Sequence, residues 1–119
     1  MKTIISFAVF IFISAAAFSQ DLRGQWNGSL HVQGTELKLA FHVAKPDDVY
    51  KSTMDSPDQN VKDIIVTTTT FSSPNVRFEI SSIGAVYEGV MSNDQATITG
   101  KWMQSGVTLP LILEKNKVP

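Results

Sequence analysis

The chain has 119 residues, ten Lys or Arg against eleven Asp or Glu, and no cysteine. That is enough chain for one domain, too evenly charged and too free of basic runs to bind nucleic acid. With no disulfide to rely on, stability must come from apolar packing and a complete strand ladder.

Lys2 precedes Ile4–Ile13, a stretch that is apolar apart from Ser6, and Ala17-Phe18-Ser19 presents small residues on either side of a tolerant position. Residues 1–19 therefore read as a cleaved secretory signal peptide, and its apolar core is too short to span a bilayer permanently. The expected product is exported, periplasmic or secreted, begins at Gln20 and carries no transmembrane anchor after cleavage.

From there the apolar period is two, and no helical period follows. The predicted strands are Gly24–Val32, Thr35–Ala44, Val49–Asp55, Asp63–Thr69, Asn75–Ser81, Ala85–Ser92, Ala96–Met103 and Val107–Glu114. Turn residues separate them, among them Gln33-Gly34, Lys45-Pro46-Asp47-Asp48, Ser56-Pro57-Asp58-Gln59-Asn60 and Ser105-Gly106. Short strands at regular spacing predict an all-β domain over 20–115. Its form is a single antiparallel up-and-down barrel of about eight strands, lipocalin-like in outline. Residues 116–119 start a linker or C-terminal tail. Trp26-Asn27-Gly28, Tyr87-Glu88-Gly89 and the reversed Gly100-Lys101-Trp102 add sites where a sheet can bend under a bulky ring.

Alternation also assigns faces. Trp26, Phe41, Met54, Phe78, Tyr87 and Trp102 point inward, as core or as the lining of a ligand cavity. Eight strands leave an interior that side chains just fill, or that holds one small ligand. So many inward rings favour filling.

The polar constellations are weak. His31 and His42 point outward, with His31 opposite Glu36 and His42 on the order of 20 Å along the strand, so they cannot share a metal ion. Ser29, His31 and Glu36 share an outer face, but a triad needs a cleft and oxyanion donors, and no Gly-x-Ser-x-Gly elbow is present. Asp55, Asp58 and Asp63 lack calcium-loop spacing and suit a self-bonded turn around Pro57. No catalytic set, metal site or cofactor is expected. The candidate interaction surface combines that turn (Asp55, Ser56, Pro57, Asp58 and Gln59) with the outer-face residues Val86, Val90, Pro110 and Ile112.

Gly24-Gln25-Trp26-Asn27-Gly28-Ser29-Leu30, Leu37 to Val43, Thr53-Met54-Asp55-Ser56-Pro57-Asp58-Gln59, Tyr87-Glu88-Gly89 and Leu109-Pro110-Leu111 together resemble the amino-terminal β-barrel accessory domain of exported α/β-hydrolases of the Bacteroidetes type. Met-Asp-Ser-Pro-Asp-Gln is the most specific element. The resemblance covers Gln20 to Lys115 and departs at Asn60, where such sequences carry glycine. It also lacks the catalytic domain, with its elbow serine and triad. It implies a non-enzymatic accessory or interaction domain with an esterase-like or peptidase-like α/β-hydrolase domain as partner. The alternative is a free-standing periplasmic carrier of a small apolar ligand.

Overall fold

A computed structural model describes residues 20–116, so the expected signal peptide and the last three residues lie outside the described residues. Nine antiparallel strands follow one another: β1 (Gly24–Val32), β2 (Thr35–Ala44), β3 (Lys51–Ser56), β4 (Val61–Val66), β5 (Thr68–Ser72), β6 (Asn75–Ile80), β7 (Ala85–Met91), β8 (Thr97–Gln104) and β9 (Val107–Lys115). They form one sheet in the order β4-β3-β2-β1-β9-β8-β7-β6-β5. The domain is the all-β up-and-down barrel that the alternation predicts.

The first two strands have the expected bounds. The third starts two residues late, because Pro46–Asp48 forms a 3₁₀ turn and Val49 caps it. The expected strand Asp63–Thr69 is corrected more substantially. It is two strands, broken at Thr67. The reason is closure: β4 pairs with β3 while β5 pairs with β6, so one stretch of chain changes partner midway. Thr67 makes the joint, donating its N–H to the Glu79 carbonyl at 2.6 Å while its Oγ1 accepts from the Ser81 N–H at 2.9 Å. Counted as one bent strand, β4 and β5 occupy a single place in an eight-place ring.

Two hairpins use the turns read from the sequence. Val32 pairs with Thr35 across Gln33-Gly34, and Gln104 with Val107 across Ser105-Gly106, with positive φ at both turn residues in each case. Asn60, the departure from glycine, also sits in the left-handed region at φ 59°, which asparagine tolerates.

The interior is filled at its middle. Trp26, Phe41, Phe78 and Tyr87 are fully buried, and the Phe41 and Phe78 rings stack 4.4 Å apart. Gly89 lets the Tyr87 ring cross the sheet, since a Cβ there would come 2.9 Å from the Tyr87 hydroxyl. That hydroxyl donates to the Leu111 carbonyl at 2.8 Å, and burial pushes its pKa up.

The seam between β1 and β9 is the ring's weak side. Among the described residues its ladder pairs Trp26 with Lys115 and Asn27 with Glu114. Beyond it, a Cβ on Gly28 would lie 2.5 Å from the Ile112 carbonyl. Lys115 donates to Ala96 of the β8 side and Asn116 to Gln25 of β1. By alternation the even-numbered residues of β9 face β1, so Pro110 stands on the seam, where no ladder needs its missing N–H.

Candidate functional site

The strand directions give the barrel two ends, and they differ. At one end the segment Gln20–Arg23 lies across the opening. Gln20 Nε2 donates to the Ser92 carbonyl and the Asp21 N–H to Gln95 Oε1, while Leu22 is fully buried beneath the Trp26 indole, whose Nε1 donates to the Leu22 carbonyl at 2.9 Å. This end is plugged.

The opposite end is a cup of about 470 Å³. Leu30, Leu39, Met54 and Trp102, all buried, form its floor. Val61, Ile64, Ile83 and Leu109 stand around its rim with Gln59 and Ser105. No charged side chain among the described residues lines it. Trp102 Nε1 donates to Gln104 Oε1 at 3.1 Å, and Gln104 Nε2 to the Ile83 carbonyl at 2.9 Å, so these wall groups are satisfied among themselves. Of the six inward residues named from the sequence, Met54 and Trp102 therefore face open space, and the other four are solid core.

A second concavity, a groove of about 910 Å³, lies on the outside of the barrel. Asn27, Ser29 and Ala40 give it a low floor. One wall is the β3–β4 hairpin, with Asp55, Pro57, Asn60 and Lys62, and the other is Ile112 and Glu114 of β9. Parts of the sequence-predicted interaction surface that lie more than fifty residues apart thus meet across one groove. Val90 continues the surface, because it pairs with Thr99, which pairs with Ile112. Val90 and Ile112 are each about half exposed. Pro110 is exposed further along β9, and Val86 is half-buried on β7.

The Asp55–Asn60 turn is held from within. Asp55 Oδ1 accepts from the Asp63 N–H at 2.9 Å, and Oδ2 lies 2.8 Å from His42 Nε2. The Asp63 amide, then His42, hold the Asp55 carboxyl below its usual range. Asp58 Oδ2 accepts from the Lys38 N–H at 2.9 Å, satisfying a β2 donor that β3 no longer reaches. Ser56 is a correction to the surface reading: it is 2% exposed, and its hydroxyl donates to Gln59 Oε1 at 2.6 Å. It shapes the turn from inside and cannot meet a partner.

The sequence reading missed the His42–Asp55 pair. Asp55 lies directly opposite Ala40, and His42 opposite Thr53, so the pair is diagonal. The bulge that positions Asp55, with Asp63 at φ 59°, left no plain sequence signal. His31 does lie opposite Glu36, and Ser29 opposite Lys38. No hydrogen bond joins Ser29, His31 and Glu36 among the described residues. Nor do three or more His, Asp or Glu side chains among the described residues gather in a way that could hold a metal ion.

No protein family, curated protein or solved structure matches the chain.

Proposed function

We propose that this barrel is a non-catalytic docking domain for an α/β-hydrolase of the esterase or peptidase-like kind, exported alongside it. The observation that carries the reading is the outer groove, which joins the Asp55–Asn60 turn to Ile112 of β9. Of the element most specific to the resemblance, Asp55 and Pro57 border this groove, facing Ile112 and Glu114. The hydrogen bonds of Asp55, Ser56 and Asp58 fix that wall before any partner arrives. A pre-set wall lowers the ordering cost that association otherwise carries. Lys38 and Lys62 stand near Asp55 and Glu114, so the groove offers both charges to a polar rim, with exposed Ile112 as an apolar anchor.

The test is titration calorimetry of the purified protein against an α/β-hydrolase domain from the resembled family. Binding is expected, and Ile112→Lys should weaken it by about tenfold or more, as for a truncated or charged anchor at an interface centre. Absence of binding, or binding indifferent to Ile112→Lys and Val90→Lys, would remove the reading.

A further inference from the structure

The cup at the unplugged end has a chemistry of its own, although it shares Leu39 and Val61 with the outer groove. We infer that it is a binding site for a small, uncharged molecule with an apolar body and one hydrogen-bond acceptor. This develops the carrier alternative but moves the ligand from the filled barrel centre to the end.

Three observations fix the class of ligand. The volume, about 470 Å³, lies in the range of roughly 300–1,000 Å³ that small-molecule sites occupy. A concavity of that size accepts a chain or a pair of rings, not a folded partner. The floor is apolar, and Met54 adds a side chain that adapts to an irregular ligand.

Charge sets the second limit. With no charged side chain in the lining, a carboxylate or ammonium entering the cup would lose its water without gaining a counter-ion. A neutral molecule suffers no such loss.

The third limit comes from which polar groups are still free. Trp102 Nε1 and both ends of the Gln104 amide are engaged in the wall. Gln59 Oε1 is engaged by the Ser56 hydroxyl, while the Gln59 amide nitrogen donates no hydrogen bond among the described residues. The rim therefore offers the Gln59 donor and the Ser105 hydroxyl, which makes no hydrogen bond among the described residues, beside an apolar bowl, and an acceptor at one end of an apolar body complements both. Val61 and Val107 at the rim are 42% and 53% exposed, so a ligand protruding from the cup would still cover apolar surface.

The experiment is a titration of the purified protein with N-phenyl-naphthylamine, a neutral dye that fluoresces in apolar sites, followed by displacement. Decanol is expected to displace it at about one-tenth or less of the concentration needed for decanoate at neutral pH, a preference of one decade. Ile64→Trp and Leu109→Trp, both at partly buried rim positions, fill the cup and should each abolish dye binding with the thermal midpoint retained. Gln59→Leu should weaken displacement by decanol but leave the dye bound. Ile112→Lys, on the outer groove, should leave both unchanged, so loss of hydrolase docking and loss of the cup are separable. Dye binding that survives in well-folded Ile64→Trp and Leu109→Trp overturns the site, as does equal displacement by decanoate. Failure of the protein to bind the dye overturns it too and leaves the docking reading standing.

Discussion

At the scale of single residues, the barrel depends on a few rings whose polar atoms are all engaged inside it. Trp26 is fully buried with its indole N–H on the Leu22 carbonyl, and Trp102 is 3% exposed. Trp26→Ala and Trp102→Ala should each destabilise by about 3–5 kcal/mol, the usual cost of deleting a large buried aromatic. Tyr87→Phe keeps the ring but removes the hydroxyl's hydrogen bond to the Leu111 carbonyl, which still faces Gly100 in the ladder, and about 0.5–1.5 kcal/mol is expected. His31→Ala, at an exposed outer position, should stay within about 0.5 kcal/mol. Urea melts of the four variants decide the matter, and four equal small losses would mean the interior is not packed as described. The inward parity of these rings was legible in the sequence because alternation is strict along β1, β7 and β8. The His42–Asp55 pair was not, because a diagonal contact depends on register, and here a bulge sets the register.

Among the elements, the segments at the two ends of the barrel carry what strand periodicity leaves unstated. Nothing periodic marks Gln20–Arg23 as a plug, for its role rests on long-range hydrogen bonds to Ser92 and Gln95. Nor does the threonine-rich run 67–70 announce that the chain changes partner at Thr67. Any residue there has strand propensity, and only ring closure decides the break. The plug has a titratable support. The Arg23 guanidinium bonds Asp21 at 2.6 Å and holds its carboxyl at about 2, against the opposing effect of burial. An aspartate depressed in the folded state stabilises fully above its unfolded pKa of about 3.9 and loses that contribution as pH falls through the folded value. The stability lead of the native protein over Asp21→Asn should therefore be constant from neutrality to about pH 4 and vanish towards pH 2. Since Asp21 and Arg23 are both more than a third exposed, the lead is small and should shrink with added salt. Thermal midpoints across that range check it, and a lead that persists at pH 2 would assign Asp21 a purely steric role.

At the scale of the whole molecule, the barrel's architecture followed from spacing and turn chemistry, whereas its cup and outer groove did not. The cup exists because all the fully buried rings, Trp26, Phe41, Phe78 and Tyr87, lie away from it and only Trp102 reaches its floor, an imbalance that strand-by-strand parity does not reveal. The outer groove exists because the β3–β4 hairpin stands over β2, held by Asp58 on the Lys38 amide. Neither concavity assembles the parts of an acyl-transfer site. Ser29 and His31 lie on β1, two residues apart on an outer face, and Ser29 faces Lys38 with no hydrogen bond to a base among the described residues. His42 is oriented by Asp55, which is the second half of a triad. The residue directly opposite it is Thr53, and both line a further concavity of about 930 Å³, but no hydrogen bond joins the Thr53 hydroxyl to His42 among the described residues. Preorganised donors aimed at an oxyanion usually contribute the largest share of acyl-transfer rates. Without a hydroxyl hydrogen-bonded to the His42 imidazole among the described residues, the large gain from orientation is lost. The purified protein is therefore expected to turn over neither short-chain aryl esters nor peptide amides above buffer. The measurement must include Ser29→Ala and His42→Ala, because a contaminating esterase survives both substitutions. Turnover that copurifies with the protein and disappears in either variant would replace a docking domain with an enzyme, and would locate its chemistry on the outer face of β1 and β2.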